Sequence, residues 1–156
     1  MASDSEIDLV AAVVAWLKGE RPDGLPDEVM RSDNELVPLK ILGEHDVDPE
    51  KRPYLVFIAD GSQRLHPRLV RYQLRLENNY RVDDFSVATI QLWQMAVVDS
   101  FEDRGAAITK INTQLEIQGS RWRVRNLVAG SGDAEEDGAR TRGITDSWSV
   151  TLQRVG

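Results

Sequence analysis

The chain has 156 residues, 41% of them hydrophobic, which fits one domain with a single core that needs no covalent staple. It contains no cysteine, which excludes disulfides, thiolate metal sites and cysteine nucleophiles together. Nineteen basic residues against 26 acidic ones leave a formal charge of −7, which repels phosphate backbones at long range and counts against sequence-specific nucleic-acid binding.

The N-terminus, Met1 to Glu6, lacks the basic start and apolar run of a signal peptide, and no apolar stretch approaches the roughly 18 residues of a membrane span. The expectation is a protein made in the cytoplasm with no membrane partner. Ser3 and Glu6 form an S-x-x-E capping box, after which Ile7, Val10, Val14 and Leu17 recur at spacings of three and four until Gly19 closes the pattern. This is a first helix. Residues 20–36 carry Pro22, Gly24, Pro26 and many charges, a composition that reads as a flexible linker with at most one short turn at Asp27 to Met30. Val37 to Leu42 fits a short strand, and Asp46 to Pro53 a loop.

Pro53 to Ala59 is apolar on both faces, so it predicts a strand in the middle of the sheet with cover on both sides. Asp60 to Arg68 then reads as a connection longer than a tight hairpin, projecting from the sheet edge. Val70 to Glu77 alternates apolar and polar residues without a fault, the pattern of a strand with one face on a core and the other open. Val87, Ile90, Gln94, Val97 and Phe101 fall at helical spacing and compete with a strand reading of Thr89 to Trp93. The acidic pair Asp83 and Asp84 at the N-terminal side and the length of the run favour helix. Ile108, Ile111 and Leu115 continue the pattern to Gly119, giving a helix broken near Gly105. Arg121 to Val128 is again a strand, Ala129 to Gly143 a long acidic hairpin loop, and the last strand sets Ile144, Trp148, Val150 and Leu152 against Ser147, Ser149, Thr151 and Gln153. The fold class that follows is α+β: a mainly antiparallel sheet of four to five strands with two or three helices packed on one face.

Catalytic chemistry does not assemble along this chain. His45 lies among Glu44, Asp46 and Asp48 but has no second histidine at ligand spacing, and a polar loop accounts for the composition without a metal. His66 is a loop residue. The acids between Gly130 and Gly138 miss the alternating positions of an EF-hand loop. Glu102 and Asp103, adjacent on a helix, point about 100° apart and do not converge on a substrate. Ser147 and Ser149 lack the turn that exposes a nucleophile. No phosphate-cradling glycine loop is present, so the expectation is no enzyme, no cofactor and no metal. Trp93, Trp122 and Trp148 read as core residues, although a ligand pocket between helices and sheet would use the same side chains. The strip Arg121, Arg123 and Arg125 fits pairing with acids of a neighbouring subunit better than phosphate contact, because Trp122 points away from it. Fifteen of the 19 basic residues are arginine, a bias that fits protein interfaces as well as a GC-rich coding sequence.

The order of these elements, with Pro53-Tyr54-Leu55-Val56 and the closing Trp148-Ser149-Val150-Thr151-Leu152 as local echoes, resembles the tail-terminator or tail-completion proteins of long-tailed bacteriophages and prophages from Glu6 to Val155. The resemblance implies a virion protein made in the host cytoplasm. It would form a ring, commonly of six subunits, that stops tail-tube growth and joins the tube to the head, with copies of itself, tail-tube and head-closure proteins as partners. Such a role needs surfaces that repeat head to tail until rotation closes. The polar strand faces offer them: Arg71, Gln73, Arg75, Arg121, Arg123, Ser147, Ser149 and Thr151 are the candidate subunit-interface residues, with the loops at 60–68 and 129–143 beside them. Another neck or minor tail component, or a non-viral ligand-binding or adaptor domain, remains an alternative on the same scaffold.

Overall fold

The computed structural model describes residues 4–48, 50, 52–130 and 146–156. Helix α1 (Asp4–Gly19) is followed by β1 (Glu28–Met30), β2 (Leu36–Pro38), β3 (Lys40–Gly43), a 3-10 turn (Glu44–Asp46), β4 (Tyr54–His66), β5 (Leu69–Asn79), α2 (Val87–Asp99), α3 (Arg104–Ile117), β6 (Trp122–Ala129) and β7 (Asp146–Arg154). The main sheet has the order β3-β4-β5-β7-β6, while β1 and β2 form a separate hairpin. The pair β3 and β4 is parallel and the others are antiparallel, so the sheet is mixed. The fold is α+β with its helices on one face, as the residue pattern predicts.

Pairing and alternation put one set of side chains against the helices. Phe57 and Ala59 of β4 lie level with Leu76 and Leu74 of β5, Leu74 in turn with Trp148 of β7, and Tyr72 with Val150, all buried. Helix α1 lies on β3 and β4 and against α3, and α3 covers β6. Burial on two sides explains why Leu9, Ala12, Val13 and Trp16 are enclosed along with Val10, Val14 and Leu17. Ile7, expected on the inner face, is 44% exposed. Ser3, the expected cap, lies outside the described residues.

The break between the last two helices falls at Ser100 to Asp103, a few residues before Gly105, because each side carries its own cap. The Ser86 hydroxyl accepts from the Thr89 amide (3.2 Å) at the start of α2, and the Asp103 carboxylate accepts from the Ala106 amide (3.1 Å) at the start of α3. The acids at 83 and 84 do not cap α2; Asp84 accepts from Ser32 instead. Helix α3 ends in a Schellman motif, with Gly119 at φ +71 and the Ser120 amide donating back to the Leu115 carbonyl (2.9 Å). Phe101, between the two helices, stacks on Trp148 (4.3 Å between ring centroids) and meets Trp16 edge-on (5.1 Å).

Three readings of the sequence need correction. Residues 20–36 are not a flexible linker: Leu25 and Val29 are buried, β1 pairs with β2, and the Arg21 guanidinium donates to the carbonyls of Leu25, Pro26 and Leu39. A few apolar anchors and one arginine outweigh the loop-like composition. Asp60 to Arg68 is not a projecting loop: β4 continues to His66, and a turn at Pro67 and Arg68 leads straight into β5. Gly61, at φ +60, sits where the register shifts between Asp60 and Gln63, so a bulge absorbs the residues that read as a connection. The middle strand is β5 rather than β4. Of the acidic stretch 129–143, Ala129 closes β6 and the Gly130 amide donates to the Ser147 carbonyl (2.7 Å); the rest lies outside the described residues.

Candidate functional site: the open sheet face

With the helices on one face, the opposite face divides into two parts. At the β3–β4 end it is sealed by a second cluster of Leu42, Tyr54 and Val56 with Ile58 packed against them, which fulfils the expectation of cover on both sides of Pro53 to Ala59. Across β5, β7 and β6 it carries polar side chains. Registers set them in rows: Arg75 is level with Ser147, Gln73 with Ser149, Arg71 with Thr151, and Gln153 with Arg123. Seven of the eight candidate interface residues, all but Arg121, thus share one face.

Two segments bound this face with strand edges that no other strand pairs among the described residues. One edge is β6 along its whole length. The other is the second half of β4: β3 pairs only with Tyr54 to Phe57, which leaves the outer side of residues 58–66 without a strand partner among the described residues, the Ala59 amide donating to the Glu44 carboxylate. Unpaired edges of this kind are templates for a further strand.

Charge on the face is uneven. The Arg75 guanidinium bridges Asp60 (2.7 Å) and Glu77 (2.8 Å). Arg71 and Arg125 are exposed. Arg125 occupies the bulge between Val124 and Asn126 and donates to the Gln153 side chain, while Arg123 donates to the carbonyls of Ser120 (2.8 Å) and Trp122 (2.7 Å). The alternation of Arg121, Arg123 and Arg125 therefore does not form one strip, because the bulge interrupts the period.

Arg121 precedes β6 and lines a cleft of about 600 Å³ with Arg64, Arg154, Asp4, Asp8 and Tyr72. The cleft lies where the first turn of α1 meets the end of α3. There the Ser5 hydroxyl bonds Tyr72 (2.6 Å) and the Ser120 hydroxyl donates to Asp8 (2.6 Å). Trp93 and Trp148 are buried in the core, and Trp122 alone of the three borders this cleft.

The fold also brings Glu6 of α1 to Glu44 and His45, with one ligand atom from each lying within 4.8 Å of the others. Sequence spacing gave His45 only its immediate acidic neighbours; the carboxylate from the first helix could not be seen there. Burial pushes the Glu44 carboxyl above an ordinary glutamate's 4.5, and its hydrogen bond with Glu6 and that residue's charge act in the same direction. The three groups offer three of the ligand atoms that a cation site would need. Gln94, which read as part of a helical stripe, is buried and joins Asn78 of β5 to Asp146 of β7 (2.8 Å to the latter).

No protein-family model and no curated protein matches the chain. Among the described residues no helix is long and apolar enough to cross a membrane.

Proposed function

We propose that the chain is a structural virion subunit of the tail-terminator type, one that assembles into a ring, caps a phage tail tube and joins it to the head. The observation that supports this most directly is the polar face across β5, β7 and β6, flanked by two unlike strand edges. Unlike edges favour heterologous contacts, the kind that repeat from copy to copy and close when the rotation allows. The function then lies in assembled surfaces rather than in a pocket. Six subunits is the number the family resemblance implies.

Native mass spectrometry of the protein with the tail-tube protein from the same gene cluster tests the proposal. A ring is expected, and electron microscopy of the mixture should place it only at tube ends. Monomer alone at high concentration with tube protein present would refute it. A second reading, a small-ligand domain, is favoured by one feature, the 600 Å³ cleft at Arg64, Arg121 and Arg154. A metabolite that raises the melting temperature of the wild type, and not of Arg154→Ala, would support that reading.

A further inference from the structure

The charges of this protein are sorted by position along the strands. Around the β4–β5 turn lie Arg64, Arg68 and Arg71; Arg121, Arg123 and Arg125 enter β6 beside them, and Arg154 ends β7. None of these seven has a carboxylate partner among the described residues. Residues 60–71, 121–125 and 151–154 contain one acid, Asp60, which Arg75 already holds. Asp4 and Asp8 border this end on the helix side, and Asp8 is engaged by Ser120.

The other end of β5 is the reverse. Asn79 is level with Tyr54 at the start of β4, and the chain runs from there into the turn at 81–84. Ser32 of the β1–β2 hairpin donates to Asp84 (2.5 Å), so the hairpin and this turn form one surface. Residues 20–35 and 81–84 hold eight acids against three arginines; Arg21 and Arg31 pair with Asp27, Asp33 and Glu35, Lys110 of α3 holds Glu20, and Asp23, Glu28 and Asp83 have no cationic partner among the described residues. The eleven residues of β5 separate the two ends by about 30 Å.

We infer that the arginine end of one copy docks on the acidic hairpin and 81–84 turn of a second copy, head to tail. A chain of net charge −7 with a cluster of seven arginines that have no carboxylate partner among the described residues carries its own complement at the far end. That complement is too distant to be reached within one subunit and well placed in the next. Each copy then uses one end of either sign, the arrangement a closed ring requires. A phosphate polymer is the other occupant such arginines accept, but the net charge opposes it at long range. The inference rests on the ring reading and names its contact.

The test is sedimentation of the full chain over a salt series, with charge-swapped variants. Self-association of the wild type should weaken at least about tenfold between low and high salt, as screening removes long-range attraction. Arg71→Glu with Arg125→Glu should weaken it by a similar factor, and adding Glu28→Arg with Asp83→Arg should restore it. Circular dichroism checks that each variant folds, and the salt series needs no variant. Association that ignores both salt and the double substitution would overturn this contact and leave a ring built through other surfaces. A wild type that never associates, with or without tube protein, would overturn both. A monomer whose arginine end binds labelled DNA, with binding lost in the double variant, would replace the second copy by a phosphate partner.

Discussion

Glu44 shows how one side chain can set a pH dependence that its neighbours in sequence do not announce. Burial and Glu6 raise its folded-state pKa above 4.5, so the folded protein holds this proton more tightly than the unfolded chain. The stability that follows is fully present below the unfolded value and is lost as pH rises through the raised folded value. Glu44→Gln keeps the hydrogen-bonding shape without the charge. It is expected to melt above the wild type near neutral pH and to lose that advantage below the ordinary glutamate value, a comparison that melting curves at stepped pH will make. A variant less stable than the wild type at neutral pH would show that the ionised carboxylate is the favoured form.

Among the elements, α1 and β3 approach each other closely at Gly43. A Cβ placed on Gly43 would stand 2.8 Å from Cγ1 of buried Val10, a β-branched side chain with little room to turn. Gly43→Ala should therefore destabilise the protein by about 1–3 kcal/mol, read from the midpoint of urea unfolding. An unchanged midpoint would mean that the helix can move off the strand at little cost. The element scale is also where the residue pattern carried most. The alternation of Val70 to Glu77 and of Trp148 to Gln153 located β5 and β7 because a strand with one buried face writes a period of two into its residues. It carried less where a neighbour intervened. β1 and β2 are three residues each, too short for a period, and the bulges at Gly61 and Arg125 break the alternation that would have announced a long β4 and a kinked β6.

For the whole molecule, Phe101 joins parts that are remote in sequence: it stacks on Trp148 of the last strand, meets Trp16 of the first helix and lies 6.1 Å from Phe57. Phe101→Ala removes a ring that is 3% exposed and should cost about 3–5 kcal/mol in denaturant unfolding, without a change in the sheet's circular dichroism while the protein remains folded. A loss below about 1 kcal/mol would mean that the aromatic centre refills the space. The same scale decides the candidate surface. Arg71, Gln73 and Arg75 could be placed on one strand face from their spacing, as could Ser147, Ser149 and Thr151 on another; that the two sets lie level on one open face depends on β5 pairing with β7.

By itself the sequence determined the amphipathic helices, the alternating strands and the α+β class, because each depends on a period that neighbouring residues express together. Tertiary structure alone decided that β3 runs parallel to β4, that a hydrophobic cluster seals one end of the outer face, and that arginines from three distant segments gather opposite an acidic hairpin. These features arise from contacts between residues far apart in the chain, and no local spacing encodes which strand a given edge will meet.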